Sequence, residues 1–248
     1  MKVKSILVSQ PEPTTVKSPY FELADKNGLK IDFRPFIQVE GVAAKEFRQT
    51  RIQILDNSAV IFTSRTAIDH YFRICQEMRI TVPDSMKYFC ISEATAFYLQ
   101  KYIVYRKRKI FYADGKFTDL VNVMKKHKDE KFLVPLSDIH KQEIPMLLDK
   151  EGYNYTKAVL YRTVSADLSD LADIKYDVLV FFSPSGIKSL YQNFPGFEQN
   201  NTRIACFGPS TAKAVRDAGL RLDIEAPTAQ APSMTMALEQ YIKKNYKN

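Results

Sequence analysis

The residues best suited to hold a ligand are hydroxyls that follow apolar runs. Thr63 and Ser64 close the run in VIFTSRTAIDHYF, and Ser183 and Ser185 close the run in VFFSPSGIKSLYQNF about 120 positions later. The pattern recurs with Ser92 and Thr95 in CISEATA, and with Ser210 and Thr211 in CFGPSTA. A Ser or Thr ahead of a helix first of all caps it, accepting a bond from one of the helix's own orphan N–H groups. The N–H groups left over, at the positive end of the helix dipole, attract anions, carboxylates included. Several such termini facing one cleft would receive a ligand that carries many carboxylates.

These hydroxyls need strands to deliver them and helices to follow. Strand candidates are SILV near the start, LKIDFRPFIQVE, SAVIFTS, KYFCIS, KIFYA, KFLVPL, AVLYRTV, DVLVFFSP, RIACFGP and LRLDIEAP. Helical spacing of apolar residues marks TAIDHYFRICQEM, EATAFYLQKYI, TDLVNVMKKH, IPMLLDKEG, GIKSLYQNF, STAKAVRDAG and SMTMALEQYIKK between them. Gly152 and Gly219 stand where helix-ending glycines belong. Strands alternating with helices predict parallel sheets with helices on both faces, an α/β fold. The hydroxyl-bearing units recur in the same order, and a third pair, FYADGKFTDLVNVM and IEAPTAQAPSMTMAL, follows them. The chain therefore reads as an internally duplicated pair of α/β domains, with a ligand expected in the cleft between them at the carboxyl ends of the strands.

Composition excludes several classes. No apolar stretch approaches the roughly 20 residues of a membrane span, and MKVKSILVSQPEP reads as a first strand, not a signal peptide. Cys75, Cys90 and Cys206 are odd in number and lie in apolar runs, as reduced core thiols of a cytoplasmic protein would. His70, His127 and His140 have no metal-ligand spacing. With 8 glycines and neither G-x-G-x-x-G nor a Walker loop, the usual nucleotide cradles are missing, and no Gly-x-Ser-x-Gly elbow is present. No cofactor is expected. The net charge of +8 suits an anionic partner. Its densest stretches, Arg106 to Lys109, Lys125 to Lys128 and the tail from Ile242 to Asn248, read as solvated faces and ends.

FTSRTAI, VLYRTV, VFFSPSGI, CFGPSTAKAVRDAGL and EAPTAQAPSMTMALEQYI, in that order, resemble uroporphyrinogen-III synthases through nearly the whole chain. The resemblance implies two flavodoxin-like domains joined by a two-strand hinge, one inserted in the other. The first would hold residues 1–36 and 165–248, the second residues 37–164, with RPFIQVE and LYRTVSAD as the crossings. It implies a hydro-lyase that closes hydroxymethylbilane, a linear tetrapyrrole, to uroporphyrinogen III with inversion of the last ring. Tyr161 in VLYRTV matches the family's tyrosine before the hinge and is the candidate general acid; a phenol keeps its proton near neutral pH. The candidate substrate contacts are Thr63, Ser64, Ser92, Thr95, Ser183, Ser185, Gly186, Ser210, Thr211 and the loop threonine Thr228. Ser92 stands where the family often has glycine, so the ligand is expected to lean on the SPSG and GPST loops of the first domain. The implied protein is monomeric and cytoplasmic, with no nucleic-acid or membrane partner. A transient contact with hydroxymethylbilane synthase would supply its unstable substrate.

Two other readings use the same residues. A non-catalytic binding protein would hold a polyanion in the cleft, with Tyr161 a hinge residue. A nucleic-acid binder would use Arg106 to Lys109 and the lysine tail, with binding that weakens steeply in salt, and it leaves the duplicated hydroxyl loops unexplained.

Overall fold

The structure, a computed structural model, describes residues 2–171 and 175–246. The end of the basic tail, Lys247 and Asn248, lies outside the described residues. The chain divides into two compact units, Met1–Gln38 with Val164–Asn248, and Val39–Thr163.

In chain order, β1 (Ser5–Val8), α1 (Pro19–Asn27), β2 (Lys30–Phe33) and β3 (Ile37–Gly41) come first. Then follow α2 (Ala44–Gln49), β4 (Ala59–Phe62), α3 (Arg65–Glu77), β5 (Lys87–Cys90) and α4 (Glu93–Tyr98). After these come β6 (Ile110–Tyr112), α5 (Phe117–Met124), β7 (Phe132–Ser137), α6 (Glu143–Lys150) and β8 (Tyr155–Ser165). The last third holds β9 (Val178–Phe181), α7 (Pro184–Asn193), β10 (Arg203–Phe207), α8 (Pro209–Asp217), β11 (Leu222–Ala226) and α9 (Met234–Tyr246).

The first unit's sheet runs β11-β10-β9-β1-β2 and is parallel throughout. The second runs β3-β8-β7-β4-β5-β6, with the pairs β8/β7, β7/β4, β4/β5 and β5/β6 parallel. From β9 outward the first sheet has β10 and β11 on one side, β1 and β2 on the other. From β4 outward the second has β5 and β6 on one side, β7 and β8 on the other, with β3 beyond. The strands that carry the recurring hydroxyl runs, β9 and β4, thus hold matching places in the two strand orders. The alternating α/β pattern read from the sequence is the pattern observed.

Central parallel strands are covered on both faces and so lose the polar half of their alternation. VLVF of β9 and AVIF of β4 are buried at every position. Period-2 geometry still sorts them between layers. Ile6, Val8, Val178 and Val180 pack with Leu238 of α9, while Leu7, Leu179 and Phe181 pack with Leu190 of α7 and Val215 of α8. In the second unit Val60 and Phe62 face Ile68 and Tyr71 of α3, and Ala59 and Ile61 face Leu120 of α5 and Leu148 of α6.

Two features differ from the expected elements. LKIDFRPFIQVE is two strands, not one: β2 ends its pairing with β1 after the Arg34 N–H donates to the Val8 carbonyl, Pro35 brings no N–H donor, and β3 from Ile37 belongs to the other sheet, beside β8. Helices α1 and α2 were not foreseen. Helix α1 is opened by Ser18, whose Oγ accepts from Tyr20 N, and closed by Gly28 at φ 60°. Cys75, Cys90 and Cys206 are free and buried, and burial pushes their thiols up to about 11, 12 and 11. Among the described residues no helix is long and apolar enough to cross a membrane.

Candidate functional site

In the second unit the loops after β4, β5, β6 and β7 enclose, with Tyr161 of β8, a pocket of about 640 Å³. That volume lies within the usual range for small-molecule sites. Thr63 and Ser64 follow β4, and Ser92 follows β5. Gly115, Lys116 and Thr118 follow β6, and Ser137, His140 and Lys141 come from the end of β7 and the loop beyond. The wall is therefore made of strand carboxyl ends and the starts of α3, α4, α5 and α6. Gly115, at φ 99°, permits the turn that brings its N–H within 2.8 Å of the Ile91 carbonyl and closes the β5 and β6 loops on each other.

The caps are engaged with their own helices. Ser64 Oγ accepts from Ala67 N at 3.0 Å, and Ser92 Oγ accepts from Thr95 N at 3.3 Å. The earliest N–H groups of the 13-residue α3, those of Arg65 and Thr66, have no acceptor within their helix. Two ammonium groups, Lys116 and Lys141, and one carboxylate, Glu143, share the wall. Helix N-termini and lysines together favour an anion.

Tyr161 is fixed from several sides. Its hydroxyl lies 3.5 Å from Ser64 Oγ. Its ring stacks on the His70 imidazole, with centroids 5.0 Å apart and planes 16° from parallel. A β-bulge brings Tyr161 opposite Ser137, after Val159 has stood opposite Leu136, and bulges of this kind re-aim a side chain. The loop is tied to the same strand by Asp138. Its N–H donates to the Tyr161 carbonyl at 3.1 Å, and its Oδ1 accepts from Thr163 N at 3.1 Å and from Ser137 Oγ at 2.9 Å. Burial works against ionisation of that carboxyl, but these bonds and the one from Ile139 N prevail and hold it below its ordinary value. The pKa of His70 is lowered, chiefly by burial and then by the Arg73 cation, against the opposing pull of Asp69 and Glu77.

The structure gathers Thr63, Ser64, Ser92 and Tyr161 into this one pocket. Thr95 is not part of its wall: the side chain is buried with Oγ1 3.0 Å from Ser92 Oγ, and its N–H donates to the same oxygen, so this residue holds Ser92 in place. The remaining candidates stand at strand ends of the first unit. Ser183 caps α7, accepting from Gly186 N at 3.3 Å, with Ser185 beside it in the first turn. A Cβ on Gly186 would come within 3.2 Å of the Phe181 ring, so glycine permits that close packing. Gly208, at φ 90°, opens α8, leaving Ser210 exposed and Thr211 buried at 1%. Thr228 Oγ1 accepts from Ala231 N at 3.0 Å within its own turn. Although the ligand was expected to lean on the SPSG and GPST loops, the large pocket belongs to the other unit. Lys116, Thr118, Ser137, His140 and Lys141 also line the pocket without a motif of their own; their one local signal is a place after the apolar runs KIFYA and KFLVPL. Of the basic run before β6, Arg106 pairs with Asp84 at 3.1 Å and Lys109 donates to the Asp84 carbonyl.

Sheet order, strand-end loops and cationic pocket together define a doubly wound α/β protein equipped to receive an anionic small molecule. Residues 18–236 match the family described as Uroporphyrinogen-III synthase HemD, and the chain belongs to that family. It is 23% identical to the uroporphyrinogen-III synthase of Chlorobaculum parvum over 260 residues, covering 97% of this chain and 100% of that one. The Saccharomyces cerevisiae uroporphyrinogen-III synthase is 27% identical over 148 residues, 52% of each chain. Among solved structures, the uroporphyrinogen-III synthetase of Helicobacter pylori 26695 has the same fold, with a TM-score of 0.59 at 17% identity over 97% of this chain and 99% of that one. A mutant uroporphyrinogen III synthase of Thermus thermophilus gives 0.51 at 15% identity over 97% and 99%.

Proposed function

We propose that the protein is a hydro-lyase that closes hydroxymethylbilane to uroporphyrinogen III, and that Tyr161 supplies the proton for the first step. The observation that carries this is the Tyr161 hydroxyl, 3.5 Å from Ser64 Oγ in a pocket that also holds Lys116 and Lys141, in a chain of this family. The substrate's acetates and propionates suit the lysines and the helix N-termini of the strand-end loops. Thr63, Ser64 and Ser92 would contact it in the second unit. Ser183, Ser185, Gly186, Ser210 and Thr228 would contact it in the first, Thr211 would do so through its N–H, and Thr95, whose hydroxyl and N–H both meet Ser92 Oγ, would act by holding Ser92.

The Tyr161 phenol donates its proton to the terminal hydroxyl, which leaves as water, and the resulting azafulvene is the electrophile. The substituted carbon of the last ring attacks it, giving a spiro intermediate. One bond of the spiro centre breaks, the ring turns over and its free carbon closes the macrocycle. That carbon loses its proton, which restores the phenol. Water is the only by-product. Without the protein the chain closes uninverted, so the task is chiefly to hold a geometry, which is catalysis by positioning. A monomer in the cytoplasm, meeting hydroxymethylbilane synthase transiently, fits this reading.

The test is a coupled assay in which hydroxymethylbilane is generated in situ and the oxidised porphyrin isomers are separated. Isomer III in place of isomer I supports the reaction, and Tyr161→Phe is expected to lower turnover by about 10²-fold or more. Isomer I alone from folded protein would sink the proposal; retained tetrapyrrole binding would then make this a binding protein.

A further inference from the structure

Tyr161 touches one aromatic group whose orientation is itself held by the strand that carries Tyr161. The His70 ring stacks on it at 5.0 Å, and His70 Nδ1 accepts from Arg73 Nε at 3.1 Å. Arg73 is in turn anchored to the backbone, one terminal nitrogen donating to the carbonyls of Val42 at 2.8 Å and Leu160 at 3.2 Å. Its other terminal nitrogen pairs with Glu77 at 2.7 Å. Leu160 immediately precedes Tyr161, so the imidazole takes its bearing from the strand that bears the phenol. Gly41 completes the mount: a Cβ there would fall 2.7 Å from Arg73 Cζ, so the guanidinium occupies space that only glycine leaves open.

We propose that His70 is a positioning residue for the ring closure: stacked on Tyr161 and oriented by Arg73, it fixes the direction in which the Tyr161 hydroxyl enters the pocket. The inference rests on Tyr161 acting on the substrate as proposed above. The acceptor role of Nδ1 leaves the imidazole's apolar face for the phenol. The stack blocks the space into which the whole Tyr161 side chain would swing about χ1, the motion that would carry its hydroxyl away from Ser64. A displacement of about 1 Å at a reacting group is enough to cost on the order of 10²-fold, and loss of the stack is expected to produce part of that.

The test compares wild type, Tyr161→Phe, His70→Ala, His70→Phe, His70→Gln and the double variant His70→Ala/Tyr161→Phe in the coupled isomer assay. Thermal melting and circular dichroism confirm folding. His70→Ala is expected to lower kcat about tenfold with KM within about twofold, and to raise the fraction of isomer I. His70→Phe keeps an aromatic face and is expected to recover most of kcat, while His70→Gln keeps an acceptor but no face and is not. The double variant is expected to match Tyr161→Phe within about twofold, because a positioning residue has nothing left to position. Wild-type kcat in folded His70→Ala overturns the proposal, as does His70→Phe no better than His70→Gln, or a double variant that multiplies the two single losses. If His70→Ala does not fold, the Phe and Gln variants decide alone. Full activity in Tyr161→Phe would overturn the role of Tyr161 itself and this inference with it, whereas an impaired Tyr161→Phe beside an unaffected His70→Ala overturns only the role of His70.

Discussion

Ser64 has two jobs that substitution can separate. Its Oγ caps α3, accepting from Ala67 N at 3.0 Å, and lies 3.5 Å from the Tyr161 hydroxyl. Replacing a capping serine with alanine costs about 1 kcal/mol, whereas glycine costs only a few tenths. In the unit formed by Val39–Thr163, a loss of that size corresponds to roughly 3–5 °C in melting temperature. The contact with Tyr161 is long for a hydrogen bond, so its net worth sits near the lower end of about 0.5–1.5 kcal/mol. Converted to rate, that range is about two- to tenfold, the upper end applying if the pair tightens on the substrate. Ser64→Ala should therefore lower both melting temperature and kcat. Ser64→Gly should lower kcat by the same factor while melting within about 1–2 °C of wild type, and Ser64→Thr should preserve both. Calorimetry beside the isomer assay measures the two effects on the same samples. Wild-type turnover in Ser64→Gly, or rate losses that simply track melting temperature, would refute the reasoning.

Lys116→Gln and Lys141→Gln should each raise KM several-fold and leave kcat nearly unchanged, since they would remove attraction felt equally by bound substrate and transition state. The salt dependence of KM should flatten in each, and a fall in kcat at constant KM would contradict the assignment. Stability should also depend on pH above the range where carboxylates titrate. His70 and His127 both have lowered values, each mainly through burial and next through a neighbouring cation, Arg73 and Lys87 respectively. The unfolded chain then binds protons that the folded chain refuses, so stability is full above about 6.5 and falls as the pH drops from there toward the folded values. The urea midpoint should be lower at pH 5.5 than at pH 7.5, and less so in His70→Phe; a midpoint flat across that interval would argue against the shifts.

What was legible in the sequence follows from which physical signals are local. Buried parallel strands such as β4 and β9 announce themselves as unbroken apolar runs, and side-chain caps marked the starts of α3, α4 and α7. The pocket residues that escaped notice stand before, or in the first turn of, helices without such caps. Helix α5 begins after Lys116 and α6 after Gln142, neither with a side-chain cap bond, so the hydroxyl signature that pointed to Ser64 and Ser92 had no counterpart there. Helix α1 was overlooked although Ser18, Pro19 and Gly28 bracket it, because only Leu23 within it is fully buried and no apolar stripe stands out. The stack of His70 on Tyr161 joins residues on α3 and β8, and the bulge at Ser137 arises from pairing between strands. Neither leaves a mark in the residues nearby. The break of LKIDFRPFIQVE falls where the resemblance set a domain boundary, at residue 36, although the apolar pattern alone reads as one continuous strand.

The strand order also dictates a schedule for the nascent chain. The sheet of Val39–Thr163 is drawn from one continuous segment, so its strands find their neighbours within that segment. In the other sheet β1 must pair with β9, and Ser5 N–H meets the Asp177 carboxylate across 172 positions. Ribosomal synthesis delivers β1 and β2 first, as a two-stranded fragment with β1's other edge bare until the last third of the chain emerges. The inserted segment, folding meanwhile, draws in the intervening chain and shortens the loop that β9 must close. Destabilising the middle of this polypeptide is thus expected to slow completion of the sheet at its two ends, and the interval before β9 arrives is when an unpaired strand edge is exposed to other chains.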